Sequence, residues 1–136
     1  LDVSPTGGLP SIAECQEHLK RVDGVMLGRA AYQQPFLLAE VDTALFGREA
    51  APVTREDALN RYRDYVIREL ERGTPMSRLI RPVLGLYPGQ PGGRNFRRIL
   101  SEGSHGSGAG VEVLDAAMAE VSRLAKRAAD RHLETA

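Results

Sequence analysis

Apolar residues recur at three- and four-residue spacing through the second half of the chain, the pattern of helices that each bury one face. Thr54 and Asp57 have the spacing of a capping pair and open the first of these helices. We expect it to run to about Arg72, where Gly73 ends it. Further helices are predicted over 75–87, over 94–101 and from 111 onwards. Residues 54–136 are therefore predicted to form an all-helical bundle.

The second of these helices contains Pro82, and its sequence is followed by a loop. Proline lacks the amide hydrogen that a helix uses, so a kink or a broken turn is expected at Pro82. Residues 88–93 consist of proline, glycine and glutamine and predict a loop. The three- and four-residue spacing also predicts which residues face inward. In the first helix these are Leu59, Tyr62, Val66 and Leu70, and in the last they are Val111, Leu114, Met118, Val121, Ala125 and Ala128.

The first third of the chain places a helix between two short apolar runs. Residues 1–4 and 23–27 are predicted to be buried strands, and Ser11 with Glu14 caps the helix between them. This order predicts two parallel strands, which need more strands beside them to be stable. That need, together with the start at Leu1, favours a piece of a longer protein. After the second strand the chain is predicted to be helical, with an apolar set of Phe36, Leu37, Val41, Leu45 and Phe46.

Glycines follow both predicted strands. Thr6, Gly7 and Gly8 come after the first, and Gly28 with Arg29 comes after the second. Glycine turns between a strand and a helix expose backbone amides to anions, and an arginine fork suits phosphate. In (β/α)8 barrels the loops after the last two strands often form such a site. The residues alone leave two interpretations open: a phosphate site, or two tight connections.

Charge is balanced overall but uneven along the chain. Lysine plus arginine and aspartate plus glutamate each total 18, yet residues 74–98 contain five arginines and no acid. Arg94, Arg97 and Arg98 have the spacing of one helical face, and Phe96 is expected to point into the core. Such a face can bind a nucleic-acid backbone. The alternative is a solvated face that pairs with acids elsewhere in the fold.

Composition and residue counts exclude several classes. With 42% hydrophobic and 26% charged residues, the chain is neither disordered nor collagen-like. The single cysteine, Cys15, cannot form an internal disulfide and is expected to be a buried small side chain rather than a nucleophile. No apolar run is long enough for a membrane span and no export leader is visible, so a cytoplasmic location is expected. The spacing of the three histidines, His18, His105 and His132, does not suit a metal site.

The order of these motifs resembles the A subfamily of tRNA-dihydrouridine synthases. Thr6-Gly7-Gly8, followed by the run from Val22 to Pro35, is similar to the end of that subfamily's barrel. The similarity to its helical domain rests on Leu84 to Tyr87, Gly89 to Arg94, Phe96-Arg97-Arg98, and Ser101-Glu102 with His105. The resemblance covers nearly all of the chain and corresponds to the C-terminal part of such an enzyme.

The resemblance implies a fold that is α/β plus all-α. Residues 1–47 would be the last βαβ portion of a TIM (β/α)8 barrel that binds FMN. Residues 48–53 would be a linker, and residues 54–136 would be a C-terminal helical bundle that binds tRNA. The whole enzyme is expected to be a monomer, without a metal and without membrane contact.

The resemblance also implies a reaction and its residues. FMN, reduced by NADPH, would reduce a uridine of the tRNA D-loop to 5,6-dihydrouridine, with a cysteine as the acid. The FMN phosphate would bind Thr6, Gly7, Gly8, Gly28 and Arg29, and tRNA would bind Arg94, Arg97 and Arg98. The catalytic cysteine is expected upstream of this chain, so no catalytic residue is expected here and the chain alone is expected to be inactive.

Two other functions stay open. The helical half could act alone as a non-catalytic RNA-binding module, or the chain could belong to another phosphate-binding TIM-barrel enzyme whose arginine face serves only stability. In the last case, replacing Arg94 and Arg97 by alanine should leave tRNA affinity unchanged. In a tRNA-dihydrouridine synthase or an RNA-binding module, the same change should weaken tRNA binding.

Overall fold

A computed structural model describes residues 8–49 and 51–135 of the chain. The chain divides into two compact units, Leu1–Val53 and Thr54–Ala136. Each unit contains buried apolar side chains of its own. Within the described residues, no helix is both long and apolar enough to cross a membrane.

The described part of the first unit is built mainly from short helices. They are α1 (Ile12–His18), α2 (Arg29–Gln33), a 3₁₀ helix (Pro35–Glu40) and α3 (Val41–Phe46). The predicted cap of α1 is confirmed, because the Ser11 hydroxyl accepts a hydrogen bond from the Glu14 amide at 3.2 Å. Ile12 and Cys15 of α1 are buried, and the burial of Cys15 was predicted.

The segment after Gly28 is helical, as predicted, but it is divided into three pieces. Gln34 leaves helical geometry, with φ of −137° and ψ of 68°, and Pro35 opens the 3₁₀ helix. The ring of a proline clashes with the preceding residue when that residue is in the α conformation, which explains the break at Gln34. Phe46, a member of the predicted apolar set, is 65% exposed.

The second predicted strand, residues 23–27, is not formed as a continuous strand in the described part of the chain. The segment is irregular, with a single bridge position at Met26, and the Met26 side chain is 52% exposed rather than buried. A strand needs hydrogen-bonded neighbours along its length, and no described residue belongs to a longer strand that could supply them. The first predicted strand, residues 1–4, lies outside the described residues, so the βαβ portion of a barrel stays a prediction.

In the second unit the regular elements of the described residues are all helical. They are α4 (Arg55–Glu71), α5 (Met76–Leu79), a 3₁₀ helix (Arg81–Val83), α6 (Gly93–Gly103) and α7 (Glu112–Glu134). The predicted capping box of α4 is confirmed: the Asp57 amide donates to the Thr54 hydroxyl at 3.0 Å, and the Thr54 amide donates to the Asp57 carboxylate at 3.1 Å. α5 ends at Leu79, and Pro82 lies within the short 3₁₀ helix that follows, so the predicted break is present. Residues 84–87, the end of the predicted helix over 75–87, are turns and bends instead.

The core of the second unit is formed by α4, α5, α6 and α7. Its largest fully buried side chains are Phe96, Leu59, Met76, Leu100, Leu114 and Val66. The Arg63 guanidinium also joins α4 to α7, because it donates to the two carboxylate oxygens of Asp115 at 2.6 and 2.9 Å. This packing fixes the position of α6, the helix that carries the predicted arginine face.

Candidate phosphate and nucleic-acid sites

Gly8 and Arg29 line the same cleft in the first unit. The cleft has a volume of about 260 Å³, and the remaining lining residues are Leu9, Pro10, Ala30, Gln33 and Gln34. Gly8 has a φ of +93°, which favours glycine, and a Cβ at this position would meet nothing within 4 Å. The structure therefore brings two of the five predicted phosphate-site residues to one open space.

The other three predicted residues of this site are placed differently. Gly28 lies directly before α2 and is exposed, but it does not line the cleft. Thr6 and Gly7 lie outside the described residues. Arg29 is exposed, and within the described part of the chain no carboxylate forms an ion pair with it. Its guanidinium is thus available to an anion in the cleft.

The three predicted nucleic-acid contacts lie together on the exposed side of α6. We call Arg94, Arg97 and Arg98 the α6 arginine face; all three are exposed, while Phe96 on the opposite side is fully buried, as predicted. Arg98 lies 4.0 Å from the Glu102 carboxylate. Arg94 and Arg97 form no ion pair with any described residue. Two of the three guanidinium groups are therefore available to phosphate.

The turn before α6 is held from two sides. Arg55 Nε donates to the Leu86 carbonyl at 2.8 Å, and its guanidinium lies 5.9 Å from the centre of the Tyr87 ring. The Tyr87 ring packs on the Phe96 ring, with centroids 4.9 Å apart. A Cβ on Gly93 would overlap the Tyr87 carbonyl oxygen, so this turn closes only with glycine there. Sequence reasoning missed Arg55, because a contact between residues so far apart in sequence leaves no local pattern.

A groove of about 650 Å³ lies beside this turn. Gln90, Arg94 and Arg97 line it, together with Leu124 of α7. Its rim therefore carries two arginines without ion-pair partners among the described residues, a charge pattern that attracts a phosphate backbone.

A second acid near the α6 arginine face, Glu120, is already paired with partners of its own. Glu120 of α7 accepts two hydrogen bonds from Arg123, each at 2.9 Å, and one from the Asn95 side-chain amide at 2.8 Å. The Arg123 hydrogen bonds, then that of Asn95, lower the pKa of Glu120 to about 2, with a smaller contribution from the charge of Arg98. Sequence reasoning did not single out Glu120, although it falls three residues before Arg123.

The remaining chemical candidates do not form a site in the described residues. Cys15 is fully buried, and burial raises the pKa of its thiol, which keeps it protonated and unreactive. Within residues 8–49 and 51–135, no group of three or more histidine, cysteine, aspartate or glutamate side chains could hold a metal ion.

Comparison with known proteins gives a consistent family. The profile of the dihydrouridine synthase (Dus) family matches residues 2–123. A tRNA-dihydrouridine(20/20a) synthase of Vibrio cholerae is 43% identical over 121 residues, which is 89% of this chain and 37% of that protein. Proteins of the same name from Pseudomonas aeruginosa (45% over 118 residues; 87% and 36%) and Xanthomonas campestris pv. campestris (43% over 129 residues; 95% and 38%) are similar.

The chain spans a little over a third of the length of the curated relatives that it matches. The matched region includes both the cleft of Gly8 and Arg29 and the α6 arginine face. Because the family profile covers most of the chain, this protein belongs to the dihydrouridine synthase family.

Proposed function

We propose that this chain is the C-terminal part of a flavin-dependent tRNA-dihydrouridine synthase of the A subfamily. The whole enzyme would reduce uridine to 5,6-dihydrouridine in the tRNA D-loop, in the cytoplasm and as a monomer. Family membership, the shared name of the relatives and the short span of the match support this proposal. The same name supports positions 20 and 20a as the target uridines.

We propose that the first unit binds the phosphate of FMN. The cleft lined by Gly8 and Arg29 fits a phosphate group, since it combines open space at a glycine backbone with an arginine that has no ion pair among the described residues. Gly28 would add its exposed backbone beside Arg29, and Thr6 with Gly7 would complete the turn before Gly8. FMN held here would supply the hydride for the uridine ring, with NADPH as the reductant of the flavin.

The second unit would hold the tRNA. Its contribution is carried by one observation, the exposure of Arg94 and Arg97 without ion pairs to any described residue. Arg98 would be a weaker contact, because Glu102 already lies 4.0 Å from it. A uridine within folded tRNA must leave the base stack to reach a buried flavin, which costs free energy. A separate surface that binds the tRNA backbone would offset this cost and hold the tRNA in place.

The chemical step needs a proton donor that this chain does not supply. Cys15 is fully buried on α1, burial raises the pKa of its thiol, and it lines neither the cleft of Gly8 and Arg29 nor the groove beside α6. The acid would be a cysteine on the preceding strands of the enzyme. The chain alone is therefore proposed to bind without turning over.

The test of this proposal is tRNA binding by the full chain and by the double variant R94A/R97A. We expect the variant to lose about 1–3 kcal/mol of binding free energy in total, or roughly 5- to 150-fold in Kd, with a shallower dependence on salt. The control is R61A/R68A, which removes the same charge from exposed positions of α4. Equal loss in both double variants, or no loss in either, would contradict a specific α6 contact.

A further inference from the structure

His105 continues the line of the α6 arginine face beyond the end of the helix. Positions 94, 98, 101 and 105 are separated by four, three and four residues, which is the spacing of one helical face. Ser104, just after α6, keeps helical backbone angles (φ −80°, ψ −12°), so this alignment extends to His105. His105 and Ser101 are both exposed, as are the three arginines.

A short hydrogen bond orients the His105 ring, and the Ser104 hydroxyl makes a longer contact of 3.4 Å with the same nitrogen, Nδ1. His105 Nδ1 lies 2.6 Å from the Ser101 carbonyl oxygen. A carbonyl oxygen only accepts, so Nδ1 carries the hydrogen and donates it. In the neutral ring Nε2 is then an acceptor, and it has no hydrogen-bond partner among the described residues.

The chemistry of this acceptor complements that of the arginines. Arginine only donates hydrogen bonds, so the α6 arginine face can bind phosphate oxygens but offers nothing to a hydroxyl that donates. The ribose 2′-hydroxyl is such a donor, and it is the group that distinguishes RNA from DNA. Two other acceptors lie on this side: the Ser101 hydroxyl, close to the helix backbone, and the Glu102 carboxylate, which lies 4.0 Å from Arg98.

We propose that His105 Nε2 accepts a hydrogen bond from a ribose 2′-hydroxyl of the tRNA strand whose phosphates contact Arg94 and Arg97. This inference rests on the proposed function and adds to it a residue that recognises the sugar. The arginines would supply affinity for any nucleic-acid backbone, and His105 would supply the preference for RNA.

A purely structural role for His105 is capping the last carbonyls of α6, and the variants separate the two roles. Asparagine can reproduce the Nδ1 donor to the Ser101 carbonyl but has no atom at the Nε2 position. H105N therefore keeps the cap and leaves no acceptor at Nε2, since its own acceptor, Oδ1, lies closer to the backbone. H105A removes both the cap and the acceptor. H132N, at an exposed histidine in the last turn of α7, is the matched control.

The experiment measures Kd of the full chain for a tRNA and for a DNA of the same sequence, at pH 8.5 and several salt concentrations. For H105N we expect roughly three- to tenfold weaker binding of tRNA, unchanged binding of DNA and an unchanged salt slope. R94A should weaken the binding of both tRNA and DNA and reduce the dependence of Kd on salt. H132N should bind both nucleic acids as the wild type does.

Two results would overturn the inference while leaving the proposed function intact. Unchanged tRNA affinity in H105N would exclude the contact. Equal weakening of tRNA and DNA with a flatter salt slope would instead place a phosphate at His105. If wild-type binding to tRNA is absent, or does not respond to R94A, the proposed function fails and this inference fails with it.

Discussion

Single glycines fix where the α6 arginine face begins. Gly92, with φ of +81°, and Gly93 form the turn into α6, and side chains there would press on α7 and on the Tyr87 backbone respectively. These residues therefore act through packing, whereas the sequence alone indicated only that the segment is a loop.

The Gly93→Ala substitution tests this. The added methyl group would overlap the Tyr87 carbonyl oxygen, so the turn or the start of α6 must shift. We expect the free energy of unfolding to fall by about 1–3 kcal/mol in urea titration. Gly106→Ala is the control, because its Cβ meets nothing within 4 Å and its φ is not positive; an equal loss in both variants would contradict the account.

The Glu120 cluster makes stability depend on acid pH. The pKa of Glu120 is lowered from 4.5 to about 2, so its charged form stabilises the fold above pH 4.5. That stabilisation is lost as the pH falls from about 4.5 towards 2. In E120Q we expect a flatter pH dependence of the free energy of unfolding over this window. E134Q, on the last turn of α7, should keep the wild-type slope; an unchanged slope in E120Q would contradict the assignment.

At the residue level, the sequence predicted what local spacing determines. The exposure of Arg94 and Arg97 and the burial of Phe96 follow from helical periodicity alone. The role of Arg55, and the bond between Asn95 and Glu120, depend on partners brought close by tertiary packing, so no window of sequence contains them. Arg123, the other partner of Glu120, lies only three residues away in sequence.

Among the elements, α4 is the one whose limits the sequence predicted best. It begins at the Thr54–Asp57 capping box and is followed by Gly73 with φ of +89°, two local signals that sequence displays directly. The inner face of α7 was predicted less well, since Ala117 is buried and Ala125 is exposed. Alanine occurs on both faces of a helix, so its spacing carries little information.

Removing the cap of α4 should weaken the second unit. Thr54→Ala deletes the hydroxyl that accepts from the Asp57 amide, and we expect a loss of about 1 kcal/mol in the free energy of unfolding. Thr54→Ser retains the acceptor and should stay within a few tenths of a kcal/mol of the wild type. Equal values for the two variants, measured by urea titration, would show that the cap does not stabilise the helix.

The predicted strand at 23–27 shows the limit of element prediction. Its apolar run is consistent with a buried strand, but a strand exists only with neighbours. Met26 is half-exposed in the described chain, and Val25 and Leu27 are only half-buried. The sequence can indicate the tendency of such a segment, whereas its final structure depends on residues that pair with it.

At the scale of the whole molecule, the buried apolar residues are divided unequally between the two units. Twelve of the fifteen buried apolar residues in the described chain lie in the second unit, and the first unit has Leu9, Ile12 and Cys15. Apolar burial is the main stabilising contribution to folding, so the second unit should be the more stable of the two.

Native-state hydrogen exchange of the full chain tests this distribution. We expect the slowest-exchanging amides in α4, α6 and α7, and much faster exchange in α1, α2 and α3. Equal protection in both units would mean that the first unit is stabilised by something other than its small core.

The most direct test of the proposed enzyme is the dihydrouridine content of tRNA from a strain that lacks the gene encoding this chain. We predict that dihydrouridine disappears at positions 20 and 20a, that the complete wild-type gene restores it, and that the gene with R94A/R97A restores it poorly. Unchanged dihydrouridine at both positions in the deletion strain would contradict the proposed function.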